Sequence, residues 1–508
     1  MEVLYMKEKE ERLKVLFASG EALPFAKTGG LGDVVGSLPH SLYRNGVDCR
    51  VVIPLYGPTI KDEKGRFKHG EVNIDKQKLK FIKEIYVPVS GRIEYCGIFE
   101  AEHNGVTYYL LDNLHYFERD TMYEEYDNAE RFAFFSRAVL EILPHIDFKP
   151  DVINANDWHT ALVPIYQHVF YSQSDWYSGI KTAFTIHNIA HQGKYGLELL
   201  GDIFSLSKSE ENLVEYDGII NLMKGALVTA HSVITVSEKY SKEIAGDHTD
   251  DSGYDFGQGL TPIIKSIEEK LNGILNGLDE NYDPRTDQYI YKKYDINSFK
   301  EGKAENKRKL QEALGLEQKE DAALIGIVTR IDEQKGCEHI IEAFKNGLLE
   351  LMAANNAQFV VLGNPHSEKL KNDFEELKSS NKGRIAAEFG LDTELAQKIY
   401  AASDIYLMPS QYEPCGLAQM IAMRYGSIPV VRETGGLFNS VTDSQDGKGN
   451  GFTYKNFKFK DLLGAISRAL GGYTNHQGWE ILTKRAMERD FSWDAGSVGK
   501  YIELFKSL

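Results

Sequence analysis

An α/β fold made of two Rossmann-like units is predicted, and three observations predict it. Short apolar runs that read as strands alternate with helical patterns along almost the whole chain, the pattern of parallel sheets covered by helices. The alternation breaks at "LNGILNGLDENYDPRTD", residues 271–287, where Gly, Asn, Asp and Pro cluster, and then restarts. At 508 residues the chain is also longer than one hydrophobic core normally serves. The join is expected near residue 275.

The strand-like runs of the first unit are "KVLFA", "CRVVI", "EIYVPV" with "YCGIFEAE", "VTYYLL", "DVINAN", "TAFTIH" and "SVITVS". Between the first two lies "PFAKTGGLGDVVGSLP", residues 24–39, which holds four glycines, a lysine and an aspartate. It is not a P-loop, because there the lysine follows the glycines and here Lys27 precedes Gly29 and Gly30. Nor is it the dinucleotide fingerprint. Gly30-x-Gly32-x-x-x-Gly36 is one residue too long, and the next strand, residues 50–53, runs into Pro54 without a carboxylate to take a ribose. NAD is therefore not expected. Leu31, Val34, Val35, Leu38 and Leu42 follow at helical spacing. These residues describe a glycine-rich loop that delivers a helix N-terminus, an anion site with Lys27 beside it.

The second unit runs through "ALIGIVT", "QFVVLG", "RIAAEF", "DIYLMPS" and "IPVVRE". Thr28-Gly29-Gly30-Leu31 returns here as Thr434-Gly435-Gly436-Leu437, again between a strand and a helix. Ligands of open α/β sheets sit beyond the carboxyl ends of the strands, so the two loops are expected to face one anionic ligand across a cleft.

Within "TRIDEQKG", Arg330 and Lys335 stand five residues apart on the loop after a strand. A solvated charged loop is the bland alternative, yet two fixed cations there suit a diphosphate, arginine as a bidentate fork and lysine as a point charge. "PSQYEPCGLAQM" sets Glu413 just past another strand, with Pro414 and Gly416 shaping the backbone. That fits a positioned substrate contact or a helix N-terminal acid. Cys415 has no base paired with it in sequence and reads as a small buried residue rather than a nucleophile.

"NANDWHTALVP" and "TIHNIAHQG" both end strands in polar residues. His187 and His191 have H-x-x-x-H spacing, but Asn188 stands where a zinc protease has glutamate, so no metal is expected. No aspartate has another two positions away, so the D-x-D device for a metal-bound diphosphate is missing. A departing diphosphate would have to be met by Arg330, Lys335 and backbone amides. No cofactor is expected.

Composition excludes several classes. A net charge of −17 argues against nucleic acid, which needs a basic surface. The longest apolar runs, such as "AALIGIV", are far too short to span a bilayer. Four cysteines without a C-x-x-C pair suit a reduced cytoplasm. Residues 1–13 are charged and lack an apolar core, and are expected to be a disordered extension.

Seven segments, "KTGGLGDVVGSLP", "DWH", "HNIAHQG", "ILNGLD", "TRIDEQKG", "PSQYEPCGL" and "TGGL", stand in the order found in bacterial glycogen synthases and plant starch synthases. From about residue 14 to the C-terminus the chain resembles that family. The resemblance implies a GT-B fold, two Rossmann-like domains facing a cleft. Residues 14–275, joined by a C-terminal helix over 493–508, would form the acceptor-side domain, and residues 276–492 the nucleotide-sugar domain. It further implies metal-free, retaining transfer of glucose from a nucleotide sugar, usually ADP-glucose, to the non-reducing end of an α-1,4-glucan such as glycogen, starch or a maltooligosaccharide. The compartment implied is the cytoplasm, or the plastid for a processed plant-type enzyme.

Position by position, Lys27, Gly30 and Asp33 match the first-domain loop that meets the donor. Asp157, His187 and Asn188 match residues lining the sugar and acceptor side, with His187 nearest the transferring glucose, and Asn276 lies at the hinge. Arg330 and Lys335 resemble the pair that stabilises the departing diphosphate. Glu413 matches the carboxylate that contacts the transferred sugar, with Cys415, Gly416 and Leu417 shaping its turn, and Gly435 and Gly436 would meet the phosphates. Three positions depart from the pattern: Gln411 replaces a frequent arginine, Ile421 replaces a glutamate eight positions after Glu413, and Leu391 replaces an aromatic ring near the base, with Phe389 two residues earlier. A UDP-glucose transferase of the same fold and a catalytically silent glucan-binding scaffold are the alternatives.

Overall fold

A computed structural model describes residues 12–57, 71–123, 125–247 and 253–508. The expected N-terminal extension therefore falls almost wholly, over residues 1–11, outside the described residues.

The first sheet contains β1 (Lys14–Ala18), β2 (Asp48–Pro54), β3 (Lys80–Val89), β4 (Arg92–His103), β5 (Val106–Asp112), β6 (Val152–Asn156), β7 (Lys181–Ile186), β8 (Ser232–Thr235) and β9 (Leu271–Gly273). Their spatial order is β9-β8-β7-β6-β1-β2-β5-β4-β3. The apolar runs of β1 and β6 are buried on both faces, as parallel strands between helical layers must be. β1 pairs in parallel with β2, Val15 opposite Cys49, and with β6, Val15 opposite Val152.

The sheet is not parallel throughout. β3 and β4 form an antiparallel hairpin at its edge, and β4 continues antiparallel onto β5. Ser90 and Gly91 join β3 to β4 with φ of +48° and +75°, the left-handed pair that a two-residue hairpin turn requires. β3 accordingly alternates, with Ile85, Val87 and Val89 inside and Tyr86 62% exposed outside.

The second sheet contains β10 (Ala323–Val328), β11 (Ala357–Gly363), β12 (Ile385–Phe389), β13 (Ile405–Met408), β14 (Ile428–Arg432) and β15 (Phe452–Tyr454), in the order β12-β11-β10-β13-β14-β15. Every pairing in it is parallel.

Seven helices position the site: α1 (Gly30–Arg44), α2 (Glu238–Ile244), α3 (Phe299–Leu314), α4 (Cys337–Ala343), α5 (Ala418–Arg424), α6 (Gly435–Ser440) and α7 (Ser497–Lys506). The helical spacing read after the first glycine loop becomes α1, and Leu31, Val34, Val35, Leu38 and Leu42 are all buried. α3 lies between the two sheets in sequence and belongs to the second by contact, since the Lys303 ammonium donates to the Ala401 and Tyr425 carbonyls at 3.0 Å.

The chain crosses between the sheets twice, and the crossings lie side by side. The Leu278 amide donates to the Phe491 carbonyl at 2.7 Å, and a Cβ on Gly277 would come within 2.6 Å of the Trp493 backbone. The returning segment then packs α7 onto the first sheet. Trp493, Val498, Tyr501 and Phe505 are buried in one cluster with Val15, Phe17, Val34 and Leu38, and the Trp493 indole donates to the Ser37 hydroxyl at 2.8 Å.

Candidate active site

The loop before α1 is organised by a carboxylate that the sequence reading passed over. Glu21, 2% exposed, accepts from the Thr28 amide, from the Thr28 hydroxyl at 2.8 Å and from the Gly32 amide at 3.2 Å. Burial raises its pKa to about 7, only partly countered by those donors and by Lys27. Lys27 turns to Asp33, with Nζ 2.6 Å from Oδ1, and the Tyr282 hydroxyl approaches the same oxygen at 3.4 Å. Burial opposes the charge on Lys27, but Asp33, Tyr282 and Glu21 outweigh it and hold its pKa above the ordinary lysine value. A Cβ added at Gly29 or Gly30 would meet nothing within 4 Å, whereas one at Gly36 would strike Leu23 at 2.7 Å. Gly36 is thus required by internal packing, and Gly29 and Gly30 are not.

Asp157 follows β6 directly with φ +57°, an uncommon conformation for a residue with a side chain. Its amide donates to the Thr185 carbonyl at 2.9 Å, and its carboxylate receives the amides of His187 at 2.7 Å and Asn188 at 3.3 Å. The strained turn ties the end of β6 to the loop after β7 and sets the direction of the His187 ring. Burial raises the Asp157 pKa to about 7 and lowers that of His187 to about 3, so the imidazole is neutral near pH 7. His187 Nε2 lies 2.9 Å from Asn156 Oδ1, and the Asn156 Nδ2 group is spent on the Ala18 carbonyl and on Asn154. Nε2 must therefore carry the proton, which leaves Nδ1 as the acceptor.

Across the seam, the loop after β10 is folded around Asp332. Asp332 accepts from the Lys335 amide at 2.9 Å and pairs with Arg330 at 3.0 Å, while Arg330 Nη2 donates to Gln334 at 2.7 Å. Gly336 closes the loop with φ +71°, where a Cβ would lie 2.1 Å from the Pro409 carbonyl oxygen. The Lys335 ammonium reaches Glu413 Oε2 at 2.6 Å, and the Ser410 hydroxyl donates to the same oxygen at 3.0 Å. Glu413 is buried and Arg330 half exposed, so one cation is fixed on the carboxylate and the other faces outward. Burial pushes the free Cys415 thiol up to about 12, which leaves negligible thiolate at neutral pH. Gly416 has φ +70°, and Leu417 caps α5 from a partly buried position.

The second TGGL turn differs from the first. The Gly435 amide donates to Glu243 of α2 at 3.0 Å, and the Gly436 amide to the carbonyls of Glu413 and Pro414 at 3.1 and 3.2 Å. A Cβ would lie 1.9 Å from the Glu413 oxygen at Gly435 and 2.0 Å from the Cys415 oxygen at Gly436. These glycines are small because the backbone of residues 413–415 passes against them. At each TGGL turn one of the protein's own buried carboxylates, Glu21 or Glu243, accepts from a glycine amide.

The structure brings the two sides together at named points. Tyr412 stacks on Tyr254 with ring centroids 5.2 Å apart, and burial, with the charge of Arg330 added to it, lowers the pKa of His191. Asn276 is buried in the first crossing with Oδ1 unpartnered among the described residues. Leu391, 38% exposed, lies on the loop after the edge strand β12. Gln411 serves the backbone: its amide donates to the Gln334 carbonyl at 2.8 Å, and its carbonyl accepts from Arg432. The residues missed in sequence were Glu21, Glu243, Tyr282 and Tyr412. Glu21 alone carried a signal, as a lone acid in the apolar stretch "ASGEALPFA" ahead of the glycines.

Comparison with known proteins agrees with this arrangement. A family model described as the starch synthase catalytic domain matches residues 14–266, and one for glycosyl transferases group 1 matches residues 309–479. The chain is 42% identical over 502 residues to a glycogen synthase of Anoxybacillus flavithermus, covering 98% of each chain. It is 40% identical over 505 residues to a glycogen synthase of Bacillus cereus, covering 98% of this chain and 100% of the relative. The catalytic domain of starch synthase IV from Arabidopsis thaliana, solved bound to ADP and acarbose, superposes with a TM-score of 0.87 at 31% identity over 98% of this chain and 99% of that one. With two facing sheets, a Lys335–Glu413 pair at their seam and relatives matched end to end, the chain belongs to the glycogen synthase and starch synthase family of retaining glucosyltransferases.

Proposed function

We propose that this chain transfers glucose from ADP-glucose to the non-reducing end of an α-1,4-glucan, with retention of configuration, in the cytoplasm. The observation that carries the reading is the ion pair between buried Glu413 and Lys335, whose loop also bears the outward-facing Arg330. Charge develops on the leaving diphosphate in the transition state, and two cations already fixed by Asp332 and Glu413 need little reorganisation to meet it. In this reading Glu413 contacts the transferred sugar once Lys335 turns to phosphate. His187 is neutral and offers Nδ1 as an acceptor for a sugar hydroxyl, so its part is orientation and not proton donation. Gly29 and Gly30 leave open space at the start of α1, which suits close approach of the donor to their backbone, with Lys27 and Asp33 beside it. Four buried, free cysteines support a reducing compartment. No helix among the described residues is long and apolar enough to cross a membrane.

The test is nucleotide release from ADP-glucose and from UDP-glucose with glycogen as primer. ADP-glucose should be the better donor, and Lys335→Ala or Glu413→Gln should lower kcat about 100-fold or more while the chain still folds cooperatively. Near-normal turnover in both variants sinks the assignment, and preference for UDP-glucose overturns the choice of base.

A further inference from the structure

Helix α2 belongs to the first sheet, where Tyr240 accepts from the Ile189 amide and Glu238 pairs with Lys500, yet three of its residues make polar contacts with the second. The hydroxyl of its N-cap, Ser237, donates to the Pro414 carbonyl at 2.6 Å. The Lys239 amide donates to Asn439 Oδ1 at 2.9 Å, and its ammonium stands 5.6 Å from the centre of the Phe438 ring. Near the helix end, Glu243, 3% exposed, accepts from the Gly435 amide at 3.0 Å and from the Thr434 hydroxyl at 3.2 and 3.3 Å. A carboxylate this deep is costly unless it is hydrogen-bonded, and its donors come from the opposite half of the molecule.

We propose that Glu243 is a positioning residue for the transfer reaction. From the first sheet it holds the Thr434 and Gly435 turn, and through that turn the backbone of residues 413–415, in the register that presents Glu413 to the sugar. The mechanical link is short. The Gly436 amide is bonded to the Glu413 carbonyl, and a Cβ on Gly435 would already overlap that carbonyl, so the turn cannot shift without moving residue 413. Ser237 secures the same segment one residue further on. The charged groups facing Glu243 are Lys239 on its own helix, 4.0 Å away, and Arg432 at the end of β14. Helix α6 and strands β8 and β9, which also pack on α2, carry no charged residue.

This inference rests on the glucosyl-transfer reading above, and its experiment separates the two. Glu243→Ala, Glu243→Gln, Thr434→Val and the Gln/Val double variant are assayed for transfer from ADP-glucose to glycogen, with hydrogen–deuterium exchange read over residues 433–441. Glu243→Ala should lose about tenfold or more in kcat with donor KM within about twofold, and Gln should recover most of it by keeping an acceptor for the Gly435 amide. Thr434→Val should lose a few-fold, and the double variant no more than the worse single one, because both changes act through one contact. Exchange over residues 433–441 should rise several-fold in Glu243→Ala, whatever the turnover. Unchanged exchange, a loss confined to KM, a Gln variant no better than Ala, or additive losses overturn the inference. A wild type that transfers no glucose, alongside the expected rise in exchange, overturns the functional reading and leaves the cross-seam contact standing.

Discussion

Glu21 and Asp157 are carboxylates that burial pushes to about 7, one under the glycine loop and one under His187. A carboxylate with a raised pKa binds its proton more tightly in the folded chain than in the unfolded one. The stability this contributes is full below the unfolded value of 4.5 for Glu21 and is lost as pH rises through about 7. Glu21→Gln removes one such titration. Between about pH 5 and pH 8 the thermal midpoint of the variant should therefore fall less than that of the wild type, by on the order of 2 °C. Parallel curves would show that Glu21 does not titrate in this window. Sequence placed Asp157 and His187 at strand ends, but not their states. Only the Asn156 contact reveals which nitrogen of His187 holds the proton, and only burial explains why that ring stays neutral.

The two TGGL turns are one sequence pattern with two physical causes. At the first, Gly30 faces open space with an unstrained backbone, so internal packing does not require glycine. At the second, Gly435 has φ +42° and the Glu413 carbonyl lies where its Cβ would be. Gly30→Ala should leave the thermal midpoint within about 1 °C of the wild type and raise donor KM about tenfold, because only an approaching ligand meets the methyl group. Gly435→Ala should instead lower kcat about 100-fold and destabilise the fold, because the Glu413 backbone must move. Equal effects of the two changes on stability would refute the distinction. α1 was legible from its apolar spacing and the cation pair from "TRIDEQKG", since both depend on residues close in sequence. Glu243 was not legible, because its partners stand about 190 positions away on another sheet.

At the scale of the whole molecule the last segment matters most. Trp493, Val498, Tyr501 and Phe505 bury their side chains in the first sheet's cluster. At about 1.5–3 kcal/mol each, that is about 6–12 kcal/mol, comparable with the entire stability of a typical domain. A chain ending at residue 492 should therefore fail to fold its first sheet and be recovered insoluble. A soluble product with the wild-type melting profile would contradict this. The sequence by itself determined the alternation of strands and helices and the loops that carry Lys27, Arg330, Lys335 and Glu413. Each of those is encoded by residues that are neighbours along the chain. The tertiary structure decided how the edge hairpin turns the first sheet antiparallel, and that Lys335 rests on Glu413 while Glu243 reaches over to Gly435. Those pairings depend on where distant segments meet, and periodicity and spacing describe only one segment at a time.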